Sequence, residues 1–134
     1  MAQEMVVKEP FTEEMKKDGE TLTKLLDQNA LEIVGSFWWF FPESSEWRLV
    51  LVTPDIDAKG PRAVYESIQR VLSENSDEFS MLNLQNISVI SASDTVFNML
   101  RSVLKTGPHI SSVRVSRSSF NNIFVEDAFI YRLQ

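Results

Sequence analysis

The stretch Ile33-Val34-Gly35-Ser36-Phe37-Trp38-Trp39-Phe40-Phe41-Pro42-Glu43-Ser44-Ser45-Glu46-Trp47-Arg48-Leu49-Val50-Leu51-Val52-Thr53 decides the fold. Two runs rich in β-branched and aromatic residues flank a polar turn at Pro42 to Glu46, the signature of a β-hairpin. Side chains alternate across a strand, so Phe37, Trp39 and Phe41 point to one face and Trp38 and Phe40 to the other. Large rings on both faces require cover on both faces, which predicts that the first strand is central in its sheet.

Upstream, Leu22, Leu25, Leu26, Ala30 and Ile33 follow helical spacing and predict a helix from Thr21 to about Asn29, with Thr21 as N-cap. Residues 1 to 20 carry Glu4, Glu9, Glu13, Glu14, Asp18 and Glu20 against Lys8, Lys16 and Lys17, with few apolar residues and Gly19 as an interruption. They read as a mobile acidic arm with one helical turn after Thr12. On that reading, removing residues 1 to 19 leaves the melting temperature nearly unchanged.

Downstream, Pro54 to Gly60 reads as a loop and Pro61 as the first position of a helix with Val64, Tyr65, Ile68, Val71 and Leu72 on one stripe. A polar loop from Ser73 to Ser80 leads to a short strand at Ile87 to Ile90. Asp94 caps a helix whose Val96, Phe97, Leu100, Val103 and Leu104 face inward, stopped by Gly107-Pro108. Alternation around Val113 and Val115 predicts a half-exposed strand, Ser118 to Asn122 a turn, and Ile123 to Leu133 a final strand. The order α-β-β-α-β-α-β-β gives an α+β fold, a mixed sheet of about five strands with about three helices, in a single domain over residues 21 to 134.

Composition narrows the chemistry. The 134 residues include no cysteine and one histidine, which excludes disulfides, thiolate zinc sites, cysteine nucleophiles and any metal site needing two imidazoles. No run approaches the roughly 20 apolar residues of a membrane helix, and the acidic start lacks the form of a secretory signal, so a cytoplasmic location and no membrane partner are expected. The net charge of −6 is uneven: Thr95 to Val125 holds no Asp or Glu but has Arg101, Lys105, Arg114 and Arg117, which leaves −10 for the remainder.

The strings Phe37-Trp38-Trp39-Phe40-Phe41-Pro42-Glu43-Ser44 and Glu46-Trp47-Arg48-Leu49-Val50, then Thr53-Pro54 with Asp57 and Gly60-Pro61, resemble a family of small uncharacterised bacterial proteins. The ending Val125-Glu126-Asp127-Ala128-Phe129-Ile130-Tyr131-Arg132-Leu133 is similar to the same family. The resemblance implies a bacterial origin and carries over no activity and no catalytic residue.

Three groups of residues are candidates for function. Asp55 and Asp57 follow an apolar strand, where α/β folds often place site residues, and with Lys59 they contain the letters of a metal-dependent nuclease. The spacing differs, because such enzymes draw their carboxylates from separate strands. Glu126 and Asp127 supply a second pair only if the last strand lies beside Trp47 to Thr53. No cofactor or metal is otherwise expected; Mg²⁺ or Mn²⁺ on Asp55 and Asp57 belongs to the nuclease reading alone. Arg114 and Arg117, amid serines and asparagines, are candidate phosphate contacts, although four cations against a background of −10 disfavour nucleic acid. Trp47 and Arg48 are the remaining binding candidates, Trp47 because it opens a strand beside a polar turn. His109 has no readable catalytic partner.

The leading expectation is a non-enzymatic binding or accessory module of the bacterial cytosol, working through a protein partner or as a homo-oligomer. A metal-dependent nuclease or phosphodiesterase and a weak nucleic-acid or anion binder are the alternatives. The first requires an exposed apolar patch or edge strand, the second converging carboxylates, the third exposed cations on one face.

Overall fold

A computed structural model describes residues 10–29 and 31–134. One five-stranded mixed sheet runs β3-β2-β1-β5-β4, with β1 at Gly35–Phe41, β2 at Glu46–Val52, β3 at Ile87–Ile90, β4 at Val113–Phe120 and β5 at Ile123–Leu133. Its helices among the described residues are α1 (Glu13–Gln28), α2 (Asp55–Lys59), α3 (Pro61–Glu74) and α4 (Thr95–Leu104). The protein is therefore α+β. The short α2 occupies the segment expected to be a loop, with Asp55 and Asp57 favouring the positive end of its first turn. Gly60, at φ 85°, separates α2 from α3.

β1 is the middle strand, as its two aromatic faces require. It pairs antiparallel with β2 on one side and β5 on the other, while β2 and β3 run parallel. Trp38 and Phe40 join α1 and α3 in one core. Phe37 joins Phe97 and Leu100 of α4 in a second core on the opposite face. Burying each of these large rings stabilises the fold by roughly 2 to 3 kcal/mol.

The expected arm is corrected over its second half. α1 begins at Glu13, capped by Thr12, whose hydroxyl accepts from the Met15 amide at 3.1 Å. Asp18 and Gly19 are wholly buried. Gly19 does not break the helix because its missing side chain is what lets α1 approach the sheet: a Cβ there would lie 2.5 Å from Tyr131 Oη and 2.6 Å from Trp38 Nε1. Asp18 accepts from the amides of Ser80, Met81 and Leu82 at 2.8 to 3.1 Å, so a buried carboxylate organises the loop leading to β3. Residues 1–9 of the arm, and Ala30 of the predicted stripe, lie outside the described residues.

Two features of β5 and its hairpin depart from simple patterns. A β-bulge between Ser36 and Phe37 of β1 makes Ser36 pair with Arg132 and Phe37 with Ile130, leaving Tyr131 as the extra residue. Simple alternation therefore fails at the end of β5: Tyr131 packs in the α1 core and Leu133 in the α4 core, while Arg132 turns to Asp27 of α1. The β4–β5 turn is also tighter than predicted. Only Asn121 and Asn122, both at positive φ (46° and 70°), link the strands, the conformation of a two-residue hairpin turn.

Candidate functional site

The carboxylates proposed for metal chemistry do not converge. Asp55 Oδ2 accepts from the Glu32 amide at 2.9 Å and from Thr53 Oγ1 at 3.3 Å, and Lys59 lies 3.8 Å from its other oxygen. Asp57 accepts from Ser91 Oγ at 2.5 Å. Both tie the start of α2 to its surroundings. β5 lies beside β1 and β4, never beside β2, so the condition for adding Glu126 and Asp127 is not met. Gly35 pairs with both Val52 and Leu133, which puts Asp55 at the Leu133 end of β5. Asp127 sits six residues back along β5, roughly 20 Å at strand rise. Among the described residues no three His, Asp or Glu side chains gather as a metal-ligand group.

The basic stretch is largely spoken for. Arg114 grips the buried Asp127 through two bonds, 2.6 Å from Nε and 2.7 Å from Nη2, and Ser116 Oγ adds a third donor to that carboxylate at 3.0 Å. The hydrogen bond Arg114 donates to Asp127 raises the guanidinium pKa further above its already high value. Its plane also lies over Phe11 at 5.2 Å and Trp47 at 5.8 Å. Arg117 is exposed, 3.8 Å from Glu126. Charge that sequence alone assigned to phosphate is thus balanced within the β4–β5 hairpin.

Trp47 is mostly buried in the α1 core, and with Arg48 it also lines a cleft at the β1–β2 turn. Arg48 donates to Ser88 Oγ and to the carbonyls of Gln85 and Ile87 at 2.7 to 2.9 Å, stapling β2 to the segment entering β3. His109 is exposed in the loop after α4.

Two concavities stand out among the described residues. A cleft of about 430 Å³ opens at the β1–β2 turn, where Trp47, Arg48 and Met81 meet the polar side chains of Ser44, Glu46 and Gln85. A second, apolar groove of about 310 Å³ lies on the α4 face, lined by Phe37, Trp39, Phe41, Val50, Ser88, Ile90, Asp94 and Val96. This groove has a simple origin. α4 packs over β5 and β4. One helix about 10 Å across cannot cover a five-stranded sheet roughly 20 Å wide. Beyond α4, Trp39, Phe41 and Ile90 on β1 and β3 are left only partly covered. Val96 and Val103, expected to face inward, are for the same reason 37% and 46% exposed.

Sequence reasoning identified Phe37, Trp39 and Phe41 as sharing a face but assigned that face wholly to core. The missed signal was the brevity of the helix between Asp94 and Gly107. Comparison with models of known protein families, with curated proteins and with solved structures found no match.

Proposed function

We propose that this protein is a non-enzymatic binding or accessory module of a bacterial cytosol, and that it receives apolar side chains of another polypeptide in the groove on the α4 face. The observation that carries this reading is an apolar groove in which Trp39, Phe41 and Ile90 stay partly exposed over buried Phe37 and Val50, with Val96, Asp94 and Ser88 at its edge. An apolar groove with a polar edge suits the side chains of a binding partner. The use of Asp55, Asp57 and Asp127 in structural hydrogen bonds also supports it over the nuclease reading, and the Arg114–Asp127 pair supports it over anion binding.

Selection from a random peptide library tests the proposal. Wild type is expected to enrich sequences with aromatic or aliphatic anchors, and Val96→Lys, which places a cation at the groove rim without touching either core, is expected to abolish their binding. Absence of any consensus, or binding untouched by the substitution, overturns the reading.

A further inference from the structure

Independently of the groove, we infer a second binding site on the α1 face, in which Phe11 is a built-in occupant that an aromatic side chain of a partner polypeptide replaces. Phe11 stands two residues ahead of α1, and its ring meets side chains from four strands. It stacks on Phe129 of β5, with centroids 5.1 Å apart and planes at 18°. Trp47 of β2 tilts against it at 5.1 Å, and Trp38 of β1 meets it edge-on at 6.1 Å. These are the stacked and edge arrangements that aromatic pairs favour. The guanidinium of Arg114 on β4 lies over the same ring at 5.2 Å. Because Asp127 accepts two bonds from that guanidinium and balances its charge, this wall offers a flat, delocalised face that suits a neutral ring. The chain itself thus shows what the socket recognises: one planar aromatic side chain.

Two observations make Phe11 an exchangeable occupant rather than a fixed piece of core. The first is its attachment. Among the described residues no backbone hydrogen bond holds Pro10 or Phe11; Pro10 is exposed and Phe11 only partly buried. α1 starts on its own cap at Thr12, so withdrawal of the Phe11 ring leaves the helix start and its hydrogen bonds in place. The second observation is access. The cleft of about 430 Å³ at the β1–β2 turn shares Trp38 and Trp47 with the socket, which gives an incoming chain a route to these rings and polar partners in Ser44, Glu46 and Gln85 beside them. A site filled by its own chain binds an outside ligand more weakly, in proportion to the fraction of time it is open, and removing the internal ring removes that penalty.

Nuclear magnetic resonance titration of the isotope-labelled full chain with a capped tripeptide copying Pro10 to Thr12 tests this. In wild type, the Overhauser contact between the Phe11 and Phe129 rings is expected to fade as peptide is added, while the Trp47 and Phe129 amides shift. Phe11→Ala is expected to bind the peptide roughly tenfold or more tightly than wild type. Phe11→Leu, which fills most of the socket and so protects folding, is expected to bind with intermediate affinity. A control peptide whose phenylalanine is replaced by alanine is expected to bind none of the three. A Phe11 to Phe129 contact that survives excess peptide, equal affinity in wild type and both variants, or no binding to any of them overturns the proposal. Val96→Lys, on the opposite face, is expected to leave this titration unchanged, so failure here and failure of the groove are read separately.

Discussion

Tyr131 rests its ring against the backbone of Gly19 and donates its hydroxyl to the Lys16 carbonyl at 2.6 Å, joining the last strand to the middle of the first helix. By helix propensity alone, alanine at position 19 stabilises by up to about 1 kcal/mol. The contact reverses that sign, because the added methyl meets both Tyr131 and Trp38. Gly19→Ala is expected to destabilise by roughly 2 kcal/mol, read as a lower denaturation midpoint. A gain in stability would mean that the helix can shift away from the sheet at little cost.

The same tyrosine governs alkaline stability. Burial raises the Tyr131 pKa well above its ordinary 10. The unfolded chain therefore releases this proton before the folded one does. Its contribution is complete below pH 10 and declines as pH rises from there toward the folded pKa. In a Tyr65→Phe background, where Tyr131 is the only tyrosine left, phenolate absorbance should rise only as the fold is lost. Ionisation that precedes unfolding contradicts this.

Asp18 makes removal of residues 1–19 severe, the reverse of what the acidic composition of that segment suggests. The deletion takes away the first turns of α1 and the carboxylate that receives three loop amides. Asp18→Asn, a smaller change, keeps one acceptor oxygen but turns a donor toward those amides and should cost roughly 2 to 3 kcal/mol. Hydrogen exchange supplies the local readout, with Ser80, Met81 and Leu82 losing protection first.

Arg132 is 6% exposed at its side chain and holds Asp27 through two bonds of 2.9 Å while also donating to the Ile33 carbonyl. Asp27→Asn leaves a buried cation without its counter-charge and should cost roughly 3 kcal/mol, seen in chemical denaturation. Asp27→Glu should recover part of the loss if charge is what matters.

Thermal unfolding with Mg²⁺ or Mn²⁺ addresses the carboxylates directly. Neither ion is expected to shift the wild-type midpoint. The Asp55→Asn, Asp57→Asn double variant should instead lose roughly 1 to 2 kcal/mol from its broken hydrogen bonds, with or without metal. A bound metal at a hundred times its dissociation constant would add about 2.7 kcal/mol, so a shift confined to wild type would restore the nuclease reading.

What was legible in the sequence was local or periodic. The alternating rings of β1 announced a central strand, Pro61 marked the first position of α3, and Asp94 capped α4, its Oδ2 accepting from the Phe97 amide at 3.0 Å. What was not legible depended on distant partners. Gly19 looked like a helix breaker until Trp38 and Tyr131 were placed over it. Asp18 looked like surface charge until the loop 62 to 64 positions away supplied its donors. Arg132 and Leu133 exchanged faces because of a bulge that no composition rule announces. The groove was hidden for a related reason: periodicity tells which residues share a face but not how much of that face one helix covers.

The placement of β5 has a consequence for synthesis. β1, the most aromatic strand, is flanked by β5 on one edge, and β5 is translated long after it. Until Ile123 to Leu133 emerge, a nascent chain presents Phe37 to Phe41 with one row of backbone amides and carbonyls unpaired, the kind of edge that recruits other strands. Messages cut short before β5 would thus yield an aggregation-prone fragment rather than a merely weakened protein.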